Sequence, residues 1–150
     1  LGVFATSATV NSGVYSKELK KYNPMLEVKE IACPNWVDIV ENGKYKQTLA
    51  QADIKSHLDD MLQFNPEKII LGCTHYPYLL PILRELEPNV EFIDPAEIFV
   101  NYIKNDMADL LNDNVSSGSE EIFVSANPES FVEHSKLFYD VKIMPKEIKF

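Results

Sequence analysis

Short apolar runs alternate along this chain with longer stretches at helical spacing, and that alternation predicts an architecture before any chemistry is considered. Leu1-Gly2-Val3-Phe4-Ala5 is a short apolar run that predicts a buried strand. Val10 to Tyr22 predicts a helix through Val10, Val14 and Leu19, broken by Asn23-Pro24. Leu26 to Ala32 alternates around Val28 and Ile31 as a strand, and Cys33-Pro34 punctuates its end. Asn35 to Glu41 predicts a helical turn with Trp36, Val37 and Val40 inward, capped by Gly43. Gln47 to Phe64 predicts an amphipathic helix with Leu49, Ile54, Leu58, Met61 and Leu62 toward the core. Lys68 to Gly72 is a β-branched apolar run ending in glycine, the pattern of a strand covered on both faces.

The second half continues the alternation. Pro77 to Leu86 predicts a short helix, and Val90 to Ile93 a strand ending at Asp94-Pro95, read as a helix N-cap followed by proline. Ala96 to Leu111 has Ile98, Phe99, Tyr102, Ile103, Met107, Leu110 and Leu111 at helical spacing. Asn112 to Glu120 is polar, and its Ser116-Ser117-Gly118-Ser119 predicts a flexible loop. Glu121 to Ser125 predicts a strand, Pro128 to Leu137 a helix, and Val141 to Met144 a last strand. Strands alternating with helices argue for an α/β fold: a parallel-sheet lobe with flanking helices over residues 1–93, and in 94–150 part of a second, similar lobe.

Composition narrows the class. With 45% hydrophobic and 25% charged residues, the 150-residue chain reads as a globular domain. Its net charge of −9 argues against nucleic acid as partner. No apolar run approaches the ~20 residues of a membrane span. Leu1 in place of methionine suggests a fragment or processed form, so a missing targeting segment says little. Cys33 and Cys73 form neither a disulfide framework nor a zinc pattern, which fits a cytoplasmic setting. A bare sheet edge would invite association with a second copy, and the oligomeric state stays open. Arg84 is the only arginine, so a bound carboxylate would be held by hydroxyls and backbone N–H groups rather than by a bidentate guanidinium.

Candidate chemistry concentrates after the central apolar run, at Gly72-Cys73-Thr74-His75-Tyr76-Pro77. Open α/β sheets place their sites at carboxyl ends of strands. A thiol before a helix start and beside a histidine stands where thiolates are favoured. The alternative for Cys73 is a small buried hydrophobe at a strand end. His75 could act as a base or as a thiolate partner. Thr6, Ser7, Thr9, Asn11 and Ser12 put small polar groups at the first strand-to-helix junction, where one would serve as N-cap and the set suggests a polar cradle. Cys33 reads as structural, His57 and His134 as solvated helix residues, and Glu41 as a carboxylate at an unfavourable helix end.

The heptapeptide Leu71 to Pro77 resembles the signature of the aspartate/glutamate racemase superfamily, and within it of the glutamate racemases. Ala5 to Tyr15 resembles that family's Thr-x-x-Thr segment, and Ala32-Cys33-Pro34-Asn35-Trp36-Val37 with Glu41 its Cys-Pro segment and the glutamate behind it. The resemblance implies a cofactor-independent, two-base interconversion of L- and D-glutamate, supplying D-glutamate for peptidoglycan. Cys73 would be the second of two cysteines, His75 its assistant, and Glu41 the carboxylate orienting that histidine. Thr6, Thr9 and Thr74 would hold the amino acid.

The chain departs from the family in one respect. Such racemases carry an Asp-Ser-Gly-x-Gly-Gly segment and a Cys-Asn-Thr segment that supplies the first cysteine, and neither occurs in residues 1–150. The chain therefore resembles the second lobe plus the C-terminal return into the first, and is expected to be inactive alone. Rival readings are a related aspartate or hydantoin racemase or lyase, a non-catalytic binding module for acidic amino acids, and a cysteine hydrolase using Cys73 and His75.

Overall fold

In the computed structural model, residues 1–110 and 119–149 are described. Ser116, Ser117 and Gly118 of the predicted loop, and Leu111 at the end of the predicted helix, lie outside the described residues. The chain divides into two compact units, Leu1–Ile103 and Lys104–Phe150.

The first unit is built on a parallel sheet. β1 (Gly2–Ala5), β2 (Lys29–Ala32), β3 (Lys68–Leu71) and β4 (Glu91–Ile93) lie in the order β2-β1-β3-β4. Between them run α1 (Ser7–Ser12), α2 (Val14–Tyr22), α3 (Trp36–Glu41), α4 (Thr48–Leu62) and α5 (Leu80–Leu86), and α6 (Pro95–Asp106) follows β4. The first strand is central, and the chain reverses direction across the sheet between β1 and β3. That is the topological switch point at which such sheets open a crevice. Register delivers two loops there side by side, since Phe4 pairs with Leu71 and the Gly72 N–H donates to the Phe4 carbonyl at 2.7 Å.

The core explains the anchoring of that edge. Trp36, fully buried, stands between Phe4 (ring centroids 4.8 Å apart) and Tyr76 (5.0 Å). Its Nε1–H donates to Asp53 Oδ2 at 3.1 Å, so the indole is satisfied from α4. The Tyr76 hydroxyl donates to the Cys33 carbonyl at 2.8 Å and ties the end of β2 to the turn after β3.

Burial raises both the Tyr15 and the Tyr76 phenols above their ordinary range, with nearby Cys73, and Glu30 or Cys33, adding to the effect. The native state therefore keeps protons that the unfolded chain releases above about pH 10. Stability from these groups is complete below that pH and is lost as pH rises through it. The urea midpoint is expected to fall between about pH 8 and about pH 11, and Tyr76→Phe should flatten that decline. Chemical denaturation followed by tryptophan fluorescence measures both.

Several boundaries differ from the sequence reading. The first predicted helix begins earlier, at Ser7, and is split where Gly13 takes φ 62° between α1 and α2. Gly43 also takes φ 62°, just past α3, as expected of a helix-ending glycine. Leu49 is 85% exposed, and Ala50, Ile54, Leu58 and Met61 form the buried face of α4 instead. Ala50 stands four residues before Ile54 on the same helix face, and Leu49 is turned away from that face. The helix expected from Pro77 is a 3-10 turn over Tyr76–Leu79, with α-helix only from Leu80. Pro81 has no N–H for the Pro77 carbonyl, which accepts from Leu80 one residue earlier. His57 is not simply solvated: its Nδ1 lies 2.8 Å from the Asp53 carbonyl, and its ring packs at 5.8 Å on Trp36.

The second unit holds a two-stranded parallel sheet of β5 (Phe123–Val124) and β6 (Lys146–Glu147), with α7 (Pro128–Ser135) between them. The predicted strand at Val141 to Met144 does not form. Pairing starts only after Pro145, where the Lys146 N–H donates to Ile122 and the Ile148 N–H to Val124. Proline has no donor for a ladder and marks its beginning. Ile98, Phe99 and Tyr102 on α6 are exposed despite their helical spacing.

Candidate active site

The site grows from the carboxyl end of β3. Leu71 is the last buried residue of the strand; Gly72, Cys73 and His75 are half-buried and Thr74 is exposed on the turn that follows. A hollow of about 180 Å³ opens there, lined by Tyr15, Leu71, Gly72, Cys73, Thr74, Asp94, Pro95 and Ala96. Its walls come from α2, the β3 turn and the start of α6.

Three predicted residues form a line. Cys73 Sγ lies 3.9 Å from His75 Nδ1, and His75 Nε2 lies 3.0 Å from Glu41 Oε1. The assignment that satisfies both contacts has Nε2–H donating to the carboxylate and the Nδ1 lone pair facing the thiol. In that arrangement the imidazole can accept the thiol proton while the carboxylate holds the ring in place. Side-chain exposures of 30% for His75 and 46% for Glu41 make this pair an orienting contact more than a source of stability. Glu41 stands in the last turn of α3, where the helix dipole disfavours it, and His75 is the partner that offsets this.

The hydroxyls separate into two groups. Thr74 lines the hollow beside Cys73. Thr6 instead caps α1, accepting the Thr9 N–H at 3.4 Å, and the two hydroxyl oxygens lie 3.0 Å apart. They occupy the end of the adjacent strand β1 but are not among the residues lining the hollow.

Cys33 takes no part in this line. It is fully buried at the end of β2, its S–H directed at the Ile31 carbonyl at 3.8 Å. Burial, with Asp53 adding, drives its thiol far above the ordinary range, so it stays protonated. His134 is on an exposed face of α7 with Nδ1 2.8 Å from the Ser130 carbonyl.

Two lining residues escaped the sequence reading. Tyr15 closes one side of the hollow, and Asp94, read only as an N-cap, does cap α6 (Ala96 N–H to Oδ1, 2.8 Å) but also faces the cavity. Nothing in local spacing marks Tyr15; the glycine at 72 is its one trace. Among the described residues, no three His, Cys, Asp or Glu side chains are arranged to hold a metal ion, and no helix is long and apolar enough to cross a membrane.

A family model described as Asp/Glu/hydantoin racemase matches residues 1–103, the span that holds every residue of this site. The chain belongs to that family. Among its racemase relatives, a glutamate racemase of Sulfurihydrogenibium sp. (strain YO3AOP1) is 33% identical over 131 residues, covering 87% of this chain and 49% of the relative. Glutamate racemase 2 of Caldanaerobacter subterraneus subsp. tengcongensis is 34% identical over 146 residues, covering 95% and 55%. A glutamate racemase isoform from Bacillus anthracis superposes with a TM-score of 0.84 at 27% identity, over 99% of this chain and 57% of that one. The Francisella tularensis enzyme, solved in complex with D-glutamate, gives 0.80 at 28% identity, over 99% and 57%. The chain thus spans about half the length of the racemases it matches.

Proposed function

We propose that this chain is the lobe of a cofactor-independent glutamate racemase that carries one of its two acid–base thiols. The observation that carries this reading is the line Cys73–His75–Glu41 at the carboxyl end of β3. Cys73 as thiolate removes the α-proton of one enantiomer, and as thiol it returns a proton to that same face. His75 accepts and returns the thiol proton, and Glu41 keeps the imidazole turned toward sulfur. Thr74 holds a polar group of the amino acid in the hollow, while Thr6 and Thr9 are engaged in capping α1. Proton transfer to the opposite face needs a second thiol, and Cys33, buried and held protonated, cannot supply it.

In this reading residues 1–93 form the second lobe, and 94–150 return into a first lobe that brings the other base. Glutamate is favoured over aspartate or hydantoin because the relatives described above are glutamate racemases. A cytoplasmic role in supplying D-glutamate for peptidoglycan follows from that activity.

The purified chain is expected to turn over L-glutamate at least about 100-fold more slowly than an intact two-base racemase, the scale of a missing general acid–base. Loss of optical rotation measures it, and robust turnover by the chain alone would contradict the reading. In the same preparation iodoacetamide should label Cys73 and spare Cys33, as peptide mass spectrometry reports.

A further inference from the structure

Resting on the reading of Cys73 and His75 as acid–base partners, we propose that Tyr15 is a positioning residue: its phenol occupies the side-chain space of residue 72 and thereby fixes the turn holding Cys73 Sγ against His75. A Cβ placed on Gly72 would lie 2.8 Å from Tyr15 Cε2 and 3.0 Å from both Cζ and Oη. No real side chain tolerates the shortest of these. Gly72 is not among the positive-φ glycines, so backbone conformation does not demand it. Glycine is there to admit the ring.

The ring is itself held from behind. The backbone N–H of Ser16 donates to Glu30 Oε1 at 3.0 Å and its hydroxyl to the same oxygen at 2.5 Å, which pins α2 to β2. On the far side, the Gly72 N–H is tied to the Phe4 carbonyl at 2.7 Å. Tyr15 is therefore wedged between an anchored helix and an anchored strand end, one residue from the thiol. Its hydroxyl makes no hydrogen bond to another described residue, so the mass of the ring is what acts on the turn. Burial, with Cys73 and Glu30 adding, raises the phenol above its ordinary range.

Alkylation of Cys73 by iodoacetamide across a pH series tests this, in the chain and in Tyr15→Phe, Tyr15→Ala and Gly72→Ala, each with and without His75→Asn. In the chain and in Tyr15→Phe, His75→Asn should change the Cys73 rate by about fivefold or more and displace its pH profile. In Tyr15→Ala the same change should fall within about twofold, because the thiol no longer rests on the imidazole. Gly72→Ala, which keeps Tyr15 but pushes it out of its seat, should lose the His75 dependence too, and decides the matter should Tyr15→Ala fail to fold. A His75 effect that persists in full in both the Tyr15→Ala and Gly72→Ala backgrounds overturns the inference, as does a Tyr15→Phe variant that behaves like Tyr15→Ala. Absence of any His75 effect in the unsubstituted chain overturns the acid–base reading of the pair, and this inference with it.

Discussion

Replacing Cys73 with serine is expected to lower glutamate racemisation by about 100- to 10,000-fold in the intact two-lobed enzyme, the range spanned by a single general acid–base group. A thiol passes to its thiolate far more readily than an alcohol loses its proton, which is what a base working near neutrality requires. A serine hydroxyl in the same place stays protonated and cannot take the α-proton. In the proposed reading Cys73 is the thiol that does this work: it borders the hollow, and its sulfur faces an imidazole held by Glu41. Cys33→Ser is the matched control, since that thiol is fully buried and directed at the Ile31 carbonyl. Its replacement should leave the rate within about threefold and cost some stability, because a hydroxyl is harder to bury than a thiol. Circular dichroism at the D-glutamate band follows both variants. Comparable losses in the two would remove the assignment.

Trp36→Ala should destabilise the first unit by about 3–5 kcal/mol, the cost of removing a large aromatic side chain from a close-packed core. The indole contributes in three ways at once. It fills the space between Phe4 and Tyr76, at 4.8 and 5.0 Å between ring centroids. It supports His57 at 5.8 Å. Its N–H satisfies Asp53, which the Asn35 amide also reaches at 2.9 Å. Removing it leaves a cavity beneath the turn that holds Cys73, together with a carboxylate that has lost one donor. A loss of this size is a large fraction of the stability of any domain. Urea unfolding read by far-ultraviolet circular dichroism gives the number, and a cost below about 1 kcal/mol would mean that the core collapses around the gap. Trp36→Phe, which keeps ring packing but not the N–H, should fall between the two.

Alternation of apolar runs with helical spacing was enough to read a parallel α/β sheet, because a strand buried on both faces cannot avoid a continuous apolar run. It also placed the candidate residues at a strand's carboxyl end, since a glycine and polar residues directly after such a run can only lie there. Elements ruled by long-range contacts were less legible. Hydrophobicity places Leu49 inward, yet it lies well round the helix from the face of Ala50, Ile54, Leu58 and Met61 and stands in solvent. The strand expected at Val141 to Met144 has the right residues, yet the ladder begins only past Pro145.

For the site itself, residue types singled out Cys73 and His75 as candidates, and only the resemblance to the racemase family assigned Glu41 to that histidine. Glu41 and His75 are far apart in the chain and come within 3.0 Å because α3 and the β3 turn end at the same edge of the sheet. The hydroxyls show the opposite outcome. Thr6 and Thr9 look interchangeable with Thr74 in sequence, but packing gives the first two to each other and to a helix cap, and only Thr74 to the hollow. Tyr15 was invisible until the backbone brought its ring over Gly72. The chain by itself thus determined its sheet, its family and its candidate thiol, all properties of neighbours in sequence. Tertiary structure alone decided which groups face that thiol, because strand register and helix anchoring bring together residues that no local spacing relates.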